Sequence, residues 1–105
     1  MSKVALIVTT KTQPGKRNQV RELFEKHLGS RAMANKDQEV IIWCDDLNNP
    51  DTFYLFEIYS SQEAFQANSQ PSEWFMSYMQ EAGPLLDGQG SMLMAAPRWA
   101  KGVSI

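Results

Sequence analysis

The chain has 105 residues, of which 43% are hydrophobic and 21% charged, and its net charge is −2. This composition is typical of one ordinary globular domain over residues 1–105, and it excludes the basic surface that sequence-independent nucleic-acid binding requires. The longest apolar runs have five residues, too short for a membrane-spanning helix or a secretory signal. We therefore expect a cytoplasmic protein without membrane or nucleic-acid partners.

Cysteine and histidine each occur once, as Cys44 and His27. A lone cysteine cannot form an internal disulfide, and this pair cannot supply a conventional zinc site. We expect no bound metal, and we expect Cys44 to be a small buried residue on a strand. Stability then has to come from burial of apolar side chains, which is adequate but not generous at this length.

The first half of the chain changes from strand to helix periodicity. Lys3–Thr10 is β-branched and apolar, and it predicts a strand. After Pro14, apolar residues recur at the spacing of an amphipathic helix, namely Val20, Leu23, Phe24, His27 and Leu28. Gly29 is expected to end this helix in a left-handed conformation, and Ser30–Gln38 is expected to be a loop.

The second half is predicted to contain, in order, strands over Glu39–Asp45 and Thr52–Tyr59, a short helix from Ser60 to about Asn68, a helix from Pro71 to Gly83, and a strand over Ser91–Ala96. The two adjacent strands form a hairpin. Ser60 and Glu63 match a capping box at the start of the short helix. Residues 98–105 form a tail without a clear period.

The order strand, helix, strand, strand, helix, strand predicts a ferredoxin-like α+β fold, with a four-stranded antiparallel sheet and helices on one face. Both alternating sets of strand residues are apolar, for example Val40 and Ile42 against Ile41 and Trp43. An antiparallel sheet with one face in water should alternate apolar with polar residues. We therefore expect a homodimer formed by sheet-to-sheet packing.

Several segments together carry a resemblance to a known family. They are Pro14–Lys16, His27–Ser30, Phe53–Tyr59 followed by Ser61–Phe65, and Trp74 with Gly83–Leu86 downstream. With the order of elements, these segments resemble the antibiotic biosynthesis monooxygenase family, which forms dimeric α+β barrels. The resemblance implies oxidation of a quinol or polycyclic phenolic substrate by O2, without a metal or flavin cofactor.

The resemblance also implies roles for individual residues. His27 would act as base or proton relay, Asn68 and Tyr78 as hydrogen-bond donors, and Trp74 as a stacking wall, with Trp43, Tyr59 and Phe65 as further substrate-binding residues. Many members carry a histidine where this chain has Asn68. Each residue also has a structural reading, because His27, Trp74 and Tyr78 lie on apolar helix faces and Asn68 suits a helix end.

Glu57 is the unusual residue of its strand, since an unpaired buried carboxylate would cost several kcal/mol. We expect it to form an ion pair with Arg98, Lys3 or a residue across a dimer interface. Two other functions stay open on the same scaffold. One is a non-enzymatic dimeric module that binds small molecules or serves in stress, and the other is an isomerase or degrading enzyme for a small metabolite.

Overall fold

The computed structural model describes residues 2–105. Its four strands form one antiparallel sheet in the order β2-β3-β1-β4, and the strands are β1 (Val4–Lys11), β2 (Gln38–Asp45), β3 (Thr52–Tyr59) and β4 (Ser91–Ala95). The helices are α1 (Arg17–Phe24), α2 (Ser30–Ala34), α3 (Gln62–Asn68) and α4 (Glu73–Ala82). The predicted ferredoxin-like α+β fold is confirmed. None of the helices in residues 2–105 combines the length and the apolar character needed to cross a membrane.

The first helix is longer than predicted. Its backbone continues from α1 through a π-helical turn, Glu25–Gly29, into α2, and Gly29 has a helical φ of −57°. The predicted end at Gly29 and the predicted loop from Ser30 are therefore wrong. No proline interrupts Ser30–Ala34, and the helix ends only where Asn35 becomes extended. After this extension, the Asn35 carbonyl accepts a hydrogen bond from the backbone N–H of Gln38 at the start of β2.

The cap of α3 also differs from the prediction by one residue. Ser61, not Ser60, is the N-cap, and its Oγ accepts a hydrogen bond from the Ala64 backbone N–H at 3.0 Å. Ser60 instead donates its hydroxyl to Asp37 Oδ1 at 2.9 Å. The helix ends at Asn68, as the sequence indicated.

The hydrophobic core lies between α1, α4 and one face of the sheet. Val20, Phe53, Tyr78 and Ala82 are its fully buried members. Because Phe53 faces the helices and side chains alternate along a strand, Leu55, Glu57 and Tyr59 lie on this same face, here called the helix side. The register of the sheet adds residues 6, 8 and 10 of β1 and residues 41, 43 and 45 of β2.

The opposite face of the sheet, here called the open side, carries no helix. It presents Ala5, Ile7, Val40, Ile42, Cys44, Tyr54, Phe56, Ile58, Leu93 and Ala95. In the single chain Ile42 is 49% exposed and Leu93 is 64% exposed. Cys44 is exposed as well, so the expected burial of its thiol is not found in the single chain. The open side is thus as apolar as the strand pattern predicted.

Candidate functional site

Five polar side chains meet on the helix side, at the end of β3. They are Gln38 of β2, Glu57 and Tyr59 of β3, Asn68 at the end of α3, and Asn35 directly after α2, and together they are called the Glu57 cluster below. Glu57 is 6% exposed and Tyr59 is 2% exposed. The cluster therefore runs from a buried carboxylate to amides near the surface.

The Tyr59 hydroxyl is the centre of the cluster. It donates to Glu57 Oε1 at 2.7 Å, and it accepts from Asn68 Nδ2 at 2.8 Å and from Gln38 Nε2 at 3.1 Å. One donated and two accepted bonds use the full capacity of a phenol oxygen. The direction of the phenol proton is therefore fixed toward Glu57.

Burial raises the pKa of the Tyr59 phenol well above its ordinary value, and its hydrogen bond to the Glu57 carboxylate raises it further. Tyr59 consequently stays protonated over the working pH range of proteins. It serves as a permanent neutral donor in the cluster and is not a proton acceptor.

Glu57 has neutral partners in place of the ion pair that was expected. Its Oε1 accepts from Gln38 Nε2 at 2.8 Å as well as from Tyr59, and no cation of residues 2–105 lies within ion-pair distance of it. The expected pairing with Lys3 or Arg98 is therefore wrong within the chain. Lys3 binds Glu39 and the Ser104 carbonyl instead. Two hydrogen bonds from neutral donors replace the missing positive charge.

The second oxygen of Glu57, Oε2, makes no hydrogen bond with the residues described. In the same part of the chain, every fully enclosed side-chain nitrogen or oxygen has a hydrogen-bond partner. It follows that Oε2 keeps some contact with accessible space. Glu57 thus has one oxygen that accepts two hydrogen bonds and one without a hydrogen-bond partner among the residues described.

An open groove lies beside the cluster, along the free edge of β2. It has a volume of about 480 Å³, and Asn35 and Gln38 are part of its lining. Met33, Val40 and Ile41 add apolar surface, and Lys36 adds a positive charge. Two members of the Glu57 cluster are therefore accessible from a groove large enough for a small ring system.

Aromatic side chains border the cluster on the side of α3. The rings of Tyr59 and Phe65 meet edge to face, with centroids 5.5 Å apart. Phe65 and Asn68 belong to the same short helix, which the Ser61 cap fixes against β3. Three of the residues predicted to form the site, Tyr59, Phe65 and Asn68, are thus brought together.

His27 lies in a different place, on the π-helical turn. Its Nε2 contacts Glu81 Oε2 of α4, and Lys26 Nζ lies 3.5 Å from the same carboxylate oxygen. The hydrogen bond with His27, and then the charge of Lys26, lower the pKa of Glu81. This arrangement, called the His27–Glu81 pair below, shares no hydrogen bond with the Glu57 cluster.

Tyr78 and Trp43 belong to the core. Trp43 stacks on Phe53 with ring centroids 3.7 Å apart, and Phe24 touches both Trp43 and Tyr78. Burial raises the pKa of Tyr78 to about 12. Phe53 and Glu57 are four residues apart, about 13 Å along a strand, so this aromatic group and the cluster occupy different parts of β3.

Trp74 is 41% exposed at the start of α4, where the guanidinium of Arg31 lies 4.1 Å from its ring centroid. This cation–π contact joins α4 to α2. The roles predicted for Trp74, Trp43, Tyr78 and His27 stay predictions. Within residues 2–105, no group of three or more His, Cys, Asp or Glu side chains is arranged to hold a metal ion.

Two members of the cluster, Gln38 and Asn35, were not predicted from the sequence. Glu57 gave a signal, because it is a lone carboxylate in an apolar strand. The two amides gave no such signal, since Asn35 and Gln38 were both expected in a loop. Only the extension of the first helix and an irregularity in β2 bring them to Glu57.

The comparisons with known structures establish the fold. A proposed antibiotic biosynthesis monooxygenase from Caulobacter crescentus is 15% identical, with a TM-score of 0.83 over 93% of this chain and 92% of its own. Another from Chloroflexus aurantiacus is 18% identical, with a TM-score of 0.78 over 98% and 100%. A Mycobacterium tuberculosis protein is 22% identical, with a TM-score of 0.77 over 97% and 100%.

No curated protein matches the sequence. The family model described as antibiotic biosynthesis monooxygenase matches residues 3–74, which include all of β1 to α3 and every member of the Glu57 cluster. The match supports a monooxygenase-like function in general terms. Since it spans well over half of the sequence, this chain belongs to the antibiotic biosynthesis monooxygenase family.

Proposed function

We propose that the protein is a cofactor-independent monooxygenase that oxidises a quinol or polycyclic phenol with O2. The observation that carries the proposal is the orientation of Asn68. Its Nδ2 donates to Tyr59, and its Oδ1 accepts from Asn35 Nδ2 at 3.2 Å. One N–H of the amide is left free, beside an aromatic ring and close to an accessible groove.

The proposed reaction needs no added reductant, because the substrate supplies the electrons. Loss of the hydroxyl proton gives a phenolate, which passes one electron to O2. The two radicals combine at a ring carbon that bears hydrogen, and the peroxide so formed takes up the proton that the phenol lost. The resulting hydroperoxide then loses water together with the hydrogen of that carbon, which becomes a carbonyl. The net change is phenol plus O2 to quinone plus water, with one oxygen atom kept in the product and one released.

The protein has to hold, desolvate and deprotonate the phenol. The free N–H of Asn68 is suited to donate to the oxygen that becomes anionic, as a preorganised donor. The edge-to-face rings of Tyr59 and Phe65 give that amide an apolar border. Further donation by Tyr78 and stacking on Trp74 or Trp43 belong to the proposal as predicted from the sequence.

Oxygen uptake by the purified, metal-free protein tests this function with a panel of hydroquinones and polycyclic phenols. We expect uptake with at least one substrate and, with ¹⁸O2, one labelled atom in the quinone. Asn68→Ala should lower kcat about 10²-fold, whereas Gln66→Ala removes an exposed amide of the same helix and should leave it unchanged. Tight binding of a phenol without uptake would overturn the proposal in favour of a binding module.

We also propose that two chains pair through their open sides. Part of this apolar face has no cover in the single chain, where Ile42 is 49% exposed and Leu93 64% exposed, whereas Ala5 and Ile58 are already buried. Burial of a few hundred Å² of such surface would stabilise a pair by several kcal/mol, at roughly 25 cal/mol per Å².

Sedimentation at low micromolar concentration tests the pairing. The wild type should sediment as a dimer, and Ile42→Glu should sediment as a folded monomer, because it places a charge in the apolar contact. Leu47→Glu is the matched control, since Leu47 is 98% exposed in the turn between β2 and β3. A monomeric wild type would contradict the proposed pairing.

A further inference from the structure

The pairing of β2 with β3 contains a one-residue irregularity. From Asp45 back to Val40 the two strands pair regularly, with Val40 opposite Ile58. The next paired residue is Gln38, which lies opposite Tyr59. Glu39 is therefore an extra, unpaired residue, and the strand is bulged at this point.

The bulge decides which side chain reaches the helix side. In a regular ladder Glu39 would lie opposite Tyr59, next to Glu57 on the same face, and two carboxylates would meet in a buried position. The observed register places Gln38 there instead, and Glu39 forms an ion pair with Lys3. A like-charge contact is replaced by a neutral amide with two donors.

The Gln38 amide nitrogen has two acceptors within hydrogen-bond distance. Its Nε2 donates to Glu57 Oε1 at 2.8 Å and to the Tyr59 hydroxyl at 3.1 Å. With the Tyr59 hydroxyl, Oε1 then accepts two hydrogen bonds. The same bonds hold the carboxyl plane, so that Oε2 is the only oxygen of Glu57 left to accept a proton.

We propose that Glu57 is the catalytic base of the reaction proposed above, that its Oε2 takes the hydroxyl proton of the phenol, and that the bulged Gln38 is the residue that positions it. This inference rests on the proposed function. In the step, the substrate O–H bond breaks, an O–H bond forms at Oε2, and the electron pair stays on the substrate as phenolate.

The surroundings of Glu57 suit this transfer. The carboxylate carries a negative charge in a site without a cationic partner among residues 2–105, and protonation removes that charge. The negative charge then lies on the substrate oxygen, to which the free N–H of Asn68 can donate a hydrogen bond. Two neighbours of Glu57 in the cluster, Gln38 and Asn35, line the groove beside β2.

The first test compares the wild type with Glu57→Gln across phenols of graded acidity. With weakly acidic phenols the variant should lose about 10²-fold or more in kcat, as expected for loss of a general base. With a phenol already ionised at the assay pH, its rate should approach that of the wild type. An equal loss for all substrates, or no loss, would overturn the role of base.

The second test concerns the positioning role. Gln38→Ala should lower kcat about 10-fold with little change in KM. This decrease in kcat should become smaller with more acidic phenols. Gln66→Ala is the control. Gln38→Glu, which restores the like-charge contact, should be the more damaging change. An Ala variant with raised KM and unchanged kcat would show that Gln38 only binds substrate.

The two proposals fail in different ways. If the wild type consumes no oxygen with any phenol, the proposed function falls. If the wild type is active while Glu57→Gln keeps its rate on weakly acidic phenols, only the role of Glu57 falls. Circular dichroism and thermal unfolding of each variant show whether the fold is kept.

Discussion

Two carboxylates of this protein, those of Glu81 and Glu57, have opposite surroundings. Glu81 is exposed and lies beside two basic side chains, His27 and Lys26, whereas Glu57 is buried and has only neutral donors. Exposed ion pairs contribute little to stability, and many can be lost without consequence. A buried carboxylate without a cation is costly to keep. The Glu57 cluster is therefore the stronger candidate for a functional site, although histidine is the more familiar base.

The largest effect in this comparison is expected for Tyr59→Phe. The change removes an acceptor from both Gln38 and Asn68, and it leaves the buried Glu57 carboxylate with one donor, Gln38, in place of two. We expect a loss of about 1–3 kcal/mol in the free energy of unfolding, measured by urea denaturation, and a clear fall in kcat. Tyr54→Phe, at the other end of the same strand, is the control for kcat. Unchanged stability and rate would show that the cluster is not a unit.

A smaller effect is expected for His27→Ala. Its partner Glu81 is exposed and lies apart from the cluster, so kcat for phenol oxidation should stay within about threefold of the wild type. Steady-state oxygen uptake measures this. A loss of 10²-fold or more in a folded variant would restore His27 to the role of base predicted from the sequence.

The smallest effect concerns acid stability. Because the pKa of Glu81 is lowered in the folded state, its contribution is present above the ordinary glutamate pKa and is lost as pH falls through the folded value. The difference in Tm between the wild type and Glu81→Gln should therefore shrink below about pH 4. Glu22→Gln, at an exposed position of α1, should show no such trend. A difference that grows on acidification would contradict the assignment.

The fold was predictable because it depends on patterns that persist over many residues. Alternation along β1 and β3, the helical spacing from Val20 to Leu28 and the breaks at Pro14 and Gly83 are each enough to place an element. The apolar open side was predictable for the same reason. A family resemblance added the aromatic border of the site at Tyr59 and Phe65.

The polar contacts of the site were not predictable in the same way. A one-residue slip at Glu39 leaves the hydropathy pattern unchanged, yet it exchanges which side chain faces Glu57. The sequence pattern does not indicate the extension of the first helix beyond Gly29 either, because glycine is compatible with both a helix end and a helix interior. Both features depend on tertiary contacts, and both were needed to bring Gln38 and Asn35 into the Glu57 cluster.

The most direct measurement is a single-turnover comparison of Glu57→Gln and Glu81→Gln, with one weakly acidic hydroquinone and O2 in excess. The two substitutions make the same chemical change in the two contrasting regions. We predict that oxidation slows about 10²-fold when Glu57 is changed and stays close to the wild-type rate when Glu81 is changed. Slow oxidation after the change at Glu81, with normal oxidation after the change at Glu57, would contradict the account.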